Sequence, residues 1–311
     1  MESRRKRIEQ ALTELPGEHA QVVRPALEEE TFRGVIPGPV AKQMAAELKM
    51  TMPQLMLLLV PIAKVLAEPA ISNFHVGAIV QGSSTESLYF GANLEFPGQA
   101  LSFTVHAEQA AITNAWNNGE QGATLLAVSA APCGYCRQFL YEVTTAAKLV
   151  VLMEEEKEKP EQQLLTNLLP KAFGPEDLEV KAALMSPAAH GLELDEPDND
   201  PVVVAALAEA NASYAPYTSS YAGVALATAS GDIHAGRVAE NAAYNPSMSP
   251  LESALVMCSV SEEEGMAATR RVTLVQVDGA IADQAAATLA VVDSLRRTSP
   301  VTYEAHGAHA A

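Results

Sequence analysis

His106-Ala107-Glu108 and Pro132-Cys133-Gly134-Tyr135-Cys136 decide how this chain is read. Together they hold an imidazole, two thiols and one carboxylate, the donor types that bind a borderline metal such as zinc. Ser102-Phe103-Thr104 precedes a run from Val105 to Asn117 with apolar residues near helical spacing, and Asn118-Gly119 follows it. That pattern predicts a helix with His106 in its first turn and Glu108 beside it. Thr124 to Ala130 is a short, β-rich apolar run, and Pro132 then opens a second helical pattern from Cys133 to about Thr145. Cys133 and Cys136 are three apart, so one turn presents both from one face. Unpaired N–H groups at a helix start stabilise thiolates, the form that binds metal. A Cys-x-x-Cys pair alone also suits a redox dithiol, and His-Ala-Glu alone occurs by chance. The bland alternative is two buried cysteines and an incidental histidine. The combination favours one Zn²⁺ per chain held by His106, Cys133 and Cys136, with a fourth position left for water and Glu108 free.

The rest of the composition narrows the class. At 311 residues the chain has room for two ordinary domains and ample apolar content for their cores. The formal charge of −18, from 38 acidic against 20 basic residues, repels phosphate backbones, and aromatics are only 5%. No nucleic-acid partner is expected. Three cysteines, two of them assigned to metal, give no disulfide framework and suit a reducing, cytoplasmic setting. Cys258 sits in an apolar pattern and reads as a small buried hydrophobe. Residues Met1 to Arg7 are basic, but Ile8 to Pro16 is interrupted by Glu9, Gln10 and Glu14, so the segment reads as a solvated helix and not a signal peptide. The longest apolar run, Leu55 to Ala63, is short for a membrane span and contains Pro61; a buried helix is expected.

In order along the chain, residues up to about Leu48 read as amphipathic helical material punctuated by prolines. Thr51 to Ala67 reads as a helix capped by Thr51. Phe74 to Val80 and Leu88 to Asn93 read as the strands of a hairpin around the polar turn Gln81 to Glu86, with His75 a surface strand residue. Asn93 and Glu95 follow a strand and precede the His106 helix. They read either as ordinary loop groups or, beside a metal pocket, as an amide and a carboxylate that hold sugar hydroxyls. Lys148 to Leu152 is a further strand, giving a β-α-β-α-β order and a mixed sheet covered by helices. Glu154 to Lys159 is a solvated charge run, and Asp195 to Pro201 is another that marks a domain boundary.

Beyond that boundary the sequence weakly repeats itself. Tyr221 to Leu226 echoes His75 to Val80, Gly236 to Glu240 echoes Gly91 to Glu95, and Pro250 to Ala254 echoes His106 to Ala110. The offsets, 223 − 77 = 146, 236 − 91 = 145 and 250 − 106 = 144, are nearly constant and predict a duplicated domain. The copy has lost its chemistry, since Pro250 replaces the histidine, Val238 replaces Asn93, and nothing after the strand Val272 to Val277 matches Pro-Cys-x-x-Cys.

H-x-E followed by P-C-x-x-C is the known signature of zinc nucleobase deaminases, and the chain resembles the large, two-domain, homodimeric cytidine deaminases. The resemblance covers about residues 45–260. Phe103 to Gln109 and Ala131 to Phe139 carry it most specifically, with support from Phe74 to Ala78, Asn93 to Glu95 and Ala172 to Leu178. It implies a three-layer α-β-α fold with a mixed β-sheet, duplicated as an active and a degenerate non-zinc domain. The expected division is an N-terminal helical segment (1–48), a catalytic domain (49–170), a connector (171–200) and a structural domain (201–311). It also implies hydrolysis of cytidine and 2′-deoxycytidine to the uridine products and ammonia in pyrimidine salvage, with a small nucleoside and a second copy of the chain as partners. Glu108 would shuttle protons. Phe74 would pack on the base, the Ala107 N–H would meet the base carbonyl, and Asn93 with Glu95 would bind the ribose. Phe173 is either a closure over the base, in its own or the neighbouring subunit, or a core phenylalanine. The competing readings are another zinc deaminase, acting on a nucleotide, guanine or a tRNA base, and an inactive zinc-stabilised binding protein.

Overall fold

The computed structural model describes residues 3–28, 32–153 and 161–310; the charge run at Glu154 to Lys159 lies outside them. In chain order the elements are α1 (Arg4–Glu14), α2 (Gly17–Glu28), β1 (Val35–Ile36), α3 (Gly38–Glu47), α4 (Met52–Lys64), β2 (Gly77–Gly82), β3 (Leu88–Ala92), α5 (Ala107–Asn117), β4 (Ala123–Val128), α6 (Gly134–Tyr141), β5 (Val150–Met153), β6 (Glu161–Leu164), α7 (Leu165–Leu168), β7 (Leu192–Leu194), α8 (Pro201–Asn211), β8 (Ala222–Thr228), β9 (Ile233–Arg237), α9 (Pro250–Ser261), β10 (Thr269–Val277), α10 (Ala285–Leu295) and β11 (Thr302–Ala310).

Two mixed sheets result, ordered β1-β3-β2-β4-β5-β6 and β7-β11-β10-β8-β9. In the first, β4 and β5 run parallel and the other pairs antiparallel; in the second, β10 and β11 do the same. Reading β3-β2-β4-β5 against β9-β8-β10-β11 matches strand for strand, so the duplication expected from the weak echoes is real; the helix echo is one residue out, since Ser249 and not Pro250 caps α9 where His106 caps α5. The sixth strand of the first sheet, β1, is a correction: two residues of the segment read as purely helical pair with β3, Val35 opposite Tyr89. The outer strand β7 belongs to the connecting segment and pairs with β11.

The echoed glycines have a common physical cause. A Cβ on Gly77 would lie 2.3 Å from the Lys64 backbone nitrogen on α4, and one on Gly91 2.1 Å from that of Ala111 on α5. Their counterparts Gly223 and Gly236 meet the backbones of α8 and α9 at 2.3 and 2.2 Å. Each sheet therefore lets a helix approach closely on both faces, and only glycine permits it.

The layers follow from strand alternation. On β2, Ile79 faces the core shared with α4, while Ala78 and Val80 face the core that contains α5. On β8, Val224 and Leu226 join that same second core, and Ala225 faces α8. The central core is thus continuous across both halves, with α5 and α9 inside it. Helix α5 is buried from Ala107 through Trp116, as a helix between two sheets must be. Cys258 is buried on α9, as expected. Among the described residues, no single helix is long and apolar enough to cross a membrane.

Three of the element boundaries that differ from the sequence reading bear on the site or the seam between the halves. Residues Phe74 to Val76 are irregular and β2 starts at Gly77, because the Asn93 side chain accepts from Val76 N and donates to Phe74 O, displacing ladder partners. His75 is exposed but outside the strand. His106 is the N-cap of α5 and not part of its first turn. Helix α6 ends at Tyr141, short of Thr145, since Leu184 N donates to Glu142 O and Thr144 N to Leu184 O, drawing the backbone away. The Glu142 side chain, fully buried, accepts from Tyr214 Oη at 2.7 Å, from Ala242 N at 3.0 Å and from Tyr217 Oη, which ties the two halves together.

Candidate active site

Two helix starts converge here. Val105 exchanges both backbone hydrogen bonds with Leu94, so the Asn93-Leu94-Glu95 segment lies alongside the entry to α5. His106 caps α5 with its backbone N–H held by Gln109 Oε1 at 3.2 Å. Cys133 caps α6, whose first turns are braced by Arg137, donating to Pro132 O and Leu168 O, each at 2.8 Å. His106 Nδ1 lies 3.6 Å from Cys133 Sγ and 3.3 Å from Cys136 Sγ. All three donor atoms fall within 4.8 Å of one another, and no other such cluster occurs among the described residues.

The electrostatics suit a cation. A hydrogen bond from the Cys136 thiol, with the backbone N–H groups of Cys136 and Tyr135 and the nearby His106, pulls the Cys133 thiol down to about 5. Cys136 is pushed upward because its proton is held against Cys133 and its surroundings are buried. The pair shares one proton, with the thiolate on Cys133. An imidazole and two thiols, one of them favoured as thiolate, are donors that a zinc ion would take, so the set fits it. Glu108 is 4% exposed and stands outside the cluster. Burial raises its pKa, opposed by its own backbone N–H and by His106.

A pocket of about 280 Å³ opens on this cluster. It brings together Phe74, Asn93, Glu95, His106, Ala107, Glu108 and Cys133, while Cys136 lies buried behind. Glu95 Oε2 accepts from Ile71 N at 2.7 Å and Ser72 N at 2.8 Å, and Oε1 accepts from Ser72 Oγ at 2.5 Å. Burial opposes the ionised form of Glu95, but these hydrogen bonds outweigh it and lower the pKa. With Asn93 holding Phe74 O and Val76 N, the two side chains fix the loop that carries Phe74. The Phe74 ring is 63% exposed at the pocket mouth. Phe173 is neither a core residue, being 46% exposed, nor part of the pocket lining.

Sequence reasoning assigned no site role to Ser72, Val76, Thr104, Ala130 and Ala131, which complete the lining. The two alanines before Pro132 carried a usable signal, since small residues ahead of a ligand-bearing helix leave room for a substrate. Ser72 carried none, because its partner Glu95 lies 23 residues away.

Family models described as the cytidine and deoxycytidylate deaminase zinc-binding region match residues 51–153 and 165–289. A cytidine deaminase of Photobacterium profundum is 40% identical over 301 residues, covering 96% of this chain and 99% of that protein. This chain belongs to the cytidine deaminase family. Further cytidine deaminases, from Shewanella halifaxensis and Aliivibrio fischeri, are 44% and 42% identical over 249 and 258 residues, covering 80% and 83% of this chain and 81% and 84% of theirs. Membership accounts for both sheets, since each half matches the family, and it makes the chain a zinc-dependent hydrolytic deaminase. The second half has no counterpart of the donor cluster among the described residues.

Proposed function

We propose that the chain deaminates cytidine and 2′-deoxycytidine to uridine and 2′-deoxyuridine with release of ammonia, in pyrimidine salvage. The observation that carries this is the position of Glu108, a buried carboxyl outside the donor cluster yet in the same pocket as Asn93 and Glu95. His106, Cys133 and Cys136 would hold the zinc ion. When bound, the ion supplies Lewis acidity that makes a water nucleophilic near neutral pH.

The protein's own groups do the rest. Glu108 accepts a proton as water attacks C4 and passes it to N3, giving a tetrahedral carbon. A second proton goes by the same carboxyl to the amino group, which leaves as ammonia while C4 becomes a carbonyl. The Ala107 N–H, at the positive end of α5, receives the base carbonyl. Phe74 covers the base. Asn93 and Glu95 take the ribose hydroxyl, and the ionised Glu95 in a chain of charge −18 disfavours a sugar phosphate, so nucleoside is preferred over nucleotide.

The division we propose is 1–48, 49–170, 171–200 and 201–311, with β7 of the connector completing the second sheet. The enzyme acts as a cytoplasmic homodimer; the exposed Phe74, Leu101 and Ile281 side chains support burial against a second copy. Loss of the cytidine absorbance spectrum with wild-type protein, but not with Glu108→Gln at equal zinc content, is the expected result. No change with zinc-loaded wild type would remove the cytidine assignment and favour a different deaminase substrate or a binding protein.

A further inference from the structure

The repeat places one carboxyl in the second half where the first half has a pocket-lining carboxylate, and a second buried carboxyl lines the same cavity. Glu240 stands at the position of Glu95 (240 − 95 = 145), and Glu252, which accepts from the N–H of the residue that caps α9 as Gln109 does for α5, stands at that of Gln109 (252 − 109 = 143). Glu240 has kept the bonding pattern as well as the place. One oxygen accepts from Tyr217 N at 2.9 Å and Thr218 N at 3.3 Å, and the other from the Thr218 hydroxyl. Glu95 makes the same three bonds with Ile71 N, Ser72 N and Ser72 Oγ.

These carboxyls border a cavity of about 540 Å³ between the halves, walled by Tyr135, Tyr217 and Tyr244. That size lies within the range of about 300–1,000 Å³ typical of small-molecule sites. Glu252 is 8% exposed, and among the described residues Ser249, whose N–H it accepts at 2.9 Å, is its only hydrogen-bond partner. Its carboxyl therefore keeps unused bonding capacity on the cavity side. Burial raises its pKa to about 7, so the protonated form is well populated near neutrality. A protonated carboxyl donates one hydrogen bond and accepts another side by side, the complement of the N3–C4 edge of a pyrimidine. The metal donors are gone: Ser249 caps α9 where His106 caps α5, and Ala282, five residues beyond the end of β10 as Cys133 is beyond β4, lines the cavity.

We propose that this cavity is a second, non-catalytic site for a pyrimidine nucleoside, with Glu252 reading the base edge and the tyrosine rings flanking the base. The choice of nucleoside rests on the reading of the first pocket as a nucleoside site. Tyr135, between Cys133 and Cys136 in sequence and bonded through its hydroxyl to Asn245 O at 2.7 Å, connects occupancy of the cavity to the metal-bearing helix.

Uridine titrated calorimetrically into the zinc-loaded full-length chain tests this, since it undergoes no net reaction there. The expected stoichiometry is two per chain, falling to one in Ala282→Trp, which fills the cavity. Tyr244→Ala, at an exposed residue, should weaken only the second event, by about tenfold for one lost stacking partner. One uridine per chain, unaffected by Ala282→Trp or Tyr244→Ala, overturns the proposal and leaves the catalytic pocket intact. A single event abolished by Ala282→Trp keeps the new site and removes the nucleoside reading of the first. No binding at all overturns both.

Discussion

Replacing Glu252 with glutamine removes a buried acid while keeping an acceptor for the Ser249 N–H, so the change isolates the cost of ionising that carboxyl. Burial raises the group from 4.5 to about 7, against the opposing hydrogen bonds from Ser249. Below 4.5 the carboxyl is protonated in both folded and unfolded chains. Between 4.5 and 7 the unfolded chain has given up its proton and the folded one has not, so stability falls as pH rises. Above 7 both forms are ionised and the loss is complete. A gap of about 2.5 pH units at about 1.36 kcal/mol each amounts to about 3 kcal/mol. Relative to Glu252→Gln, the wild-type protein should therefore lose about 3 kcal/mol between about pH 4.5 and pH 8. Urea unfolding across that range, followed by the fluorescence of Trp116, measures it; that ring lies at the junction of the halves, 4.8 Å from the Arg237 guanidinium. Other titrating groups change both proteins alike and cancel in the difference. Parallel stability curves would refute the argument that burial governs this carboxyl.

Glu142→Ala leaves the Tyr217 hydroxyl and the Ala242 N–H without their acceptor at the junction and the Tyr214 hydroxyl with Ala182 O alone, and should cost about 3–5 kcal/mol in chemical unfolding; a loss below about 1 kcal/mol would mean the two halves are held by other contacts. Gly91→Ala drives a methyl to 2.1 Å from the α5 backbone and should lower stability by about 1–3 kcal/mol or more, with a reduced melting temperature. The matching substitution in the second half, Gly236→Ala, should behave alike, and a neutral result in either would break the account of the echoes. Asn93→Ala strands Val76 N and Phe74 O, so steady-state kinetics should show KM for cytidine raised roughly tenfold while zinc content stays constant; an unchanged KM would remove the loop's role.

The metal cluster was legible because each donor lies at a helix start, where capping, proline placement and a three-residue spacing are all encoded within a few positions. The duplication was legible only as similarity, and its cause emerges from the glycines that let α4, α5, α8 and α9 approach the sheets. What the sequence hid was set by partners far along the chain. Phe74 to Val76 look like the start of a strand, and only the side chain of Asn93 keeps them out of it. The end of α6 is fixed by Leu184 and by a glutamate facing tyrosines more than 70 residues away. Ser72, Tyr217 and Tyr244 reach their pockets through such contacts, so no local pattern announces them.

Helix α5 carries a metal ligand at its start and is buried along its length, with Thr113, Asn117 and Gln109 bonded to Met248, Ser253 and Pro246 of the other half. A gene duplication that packs its copy against such a helix works as a ratchet. The copy is free to shed its own donors, yet deleting it would strip the cover from the helix that aims His106. Loss of chemistry in the second half is therefore compatible with strong selection on its shape, and variants that disturb the seam should be found out through the first half's zinc.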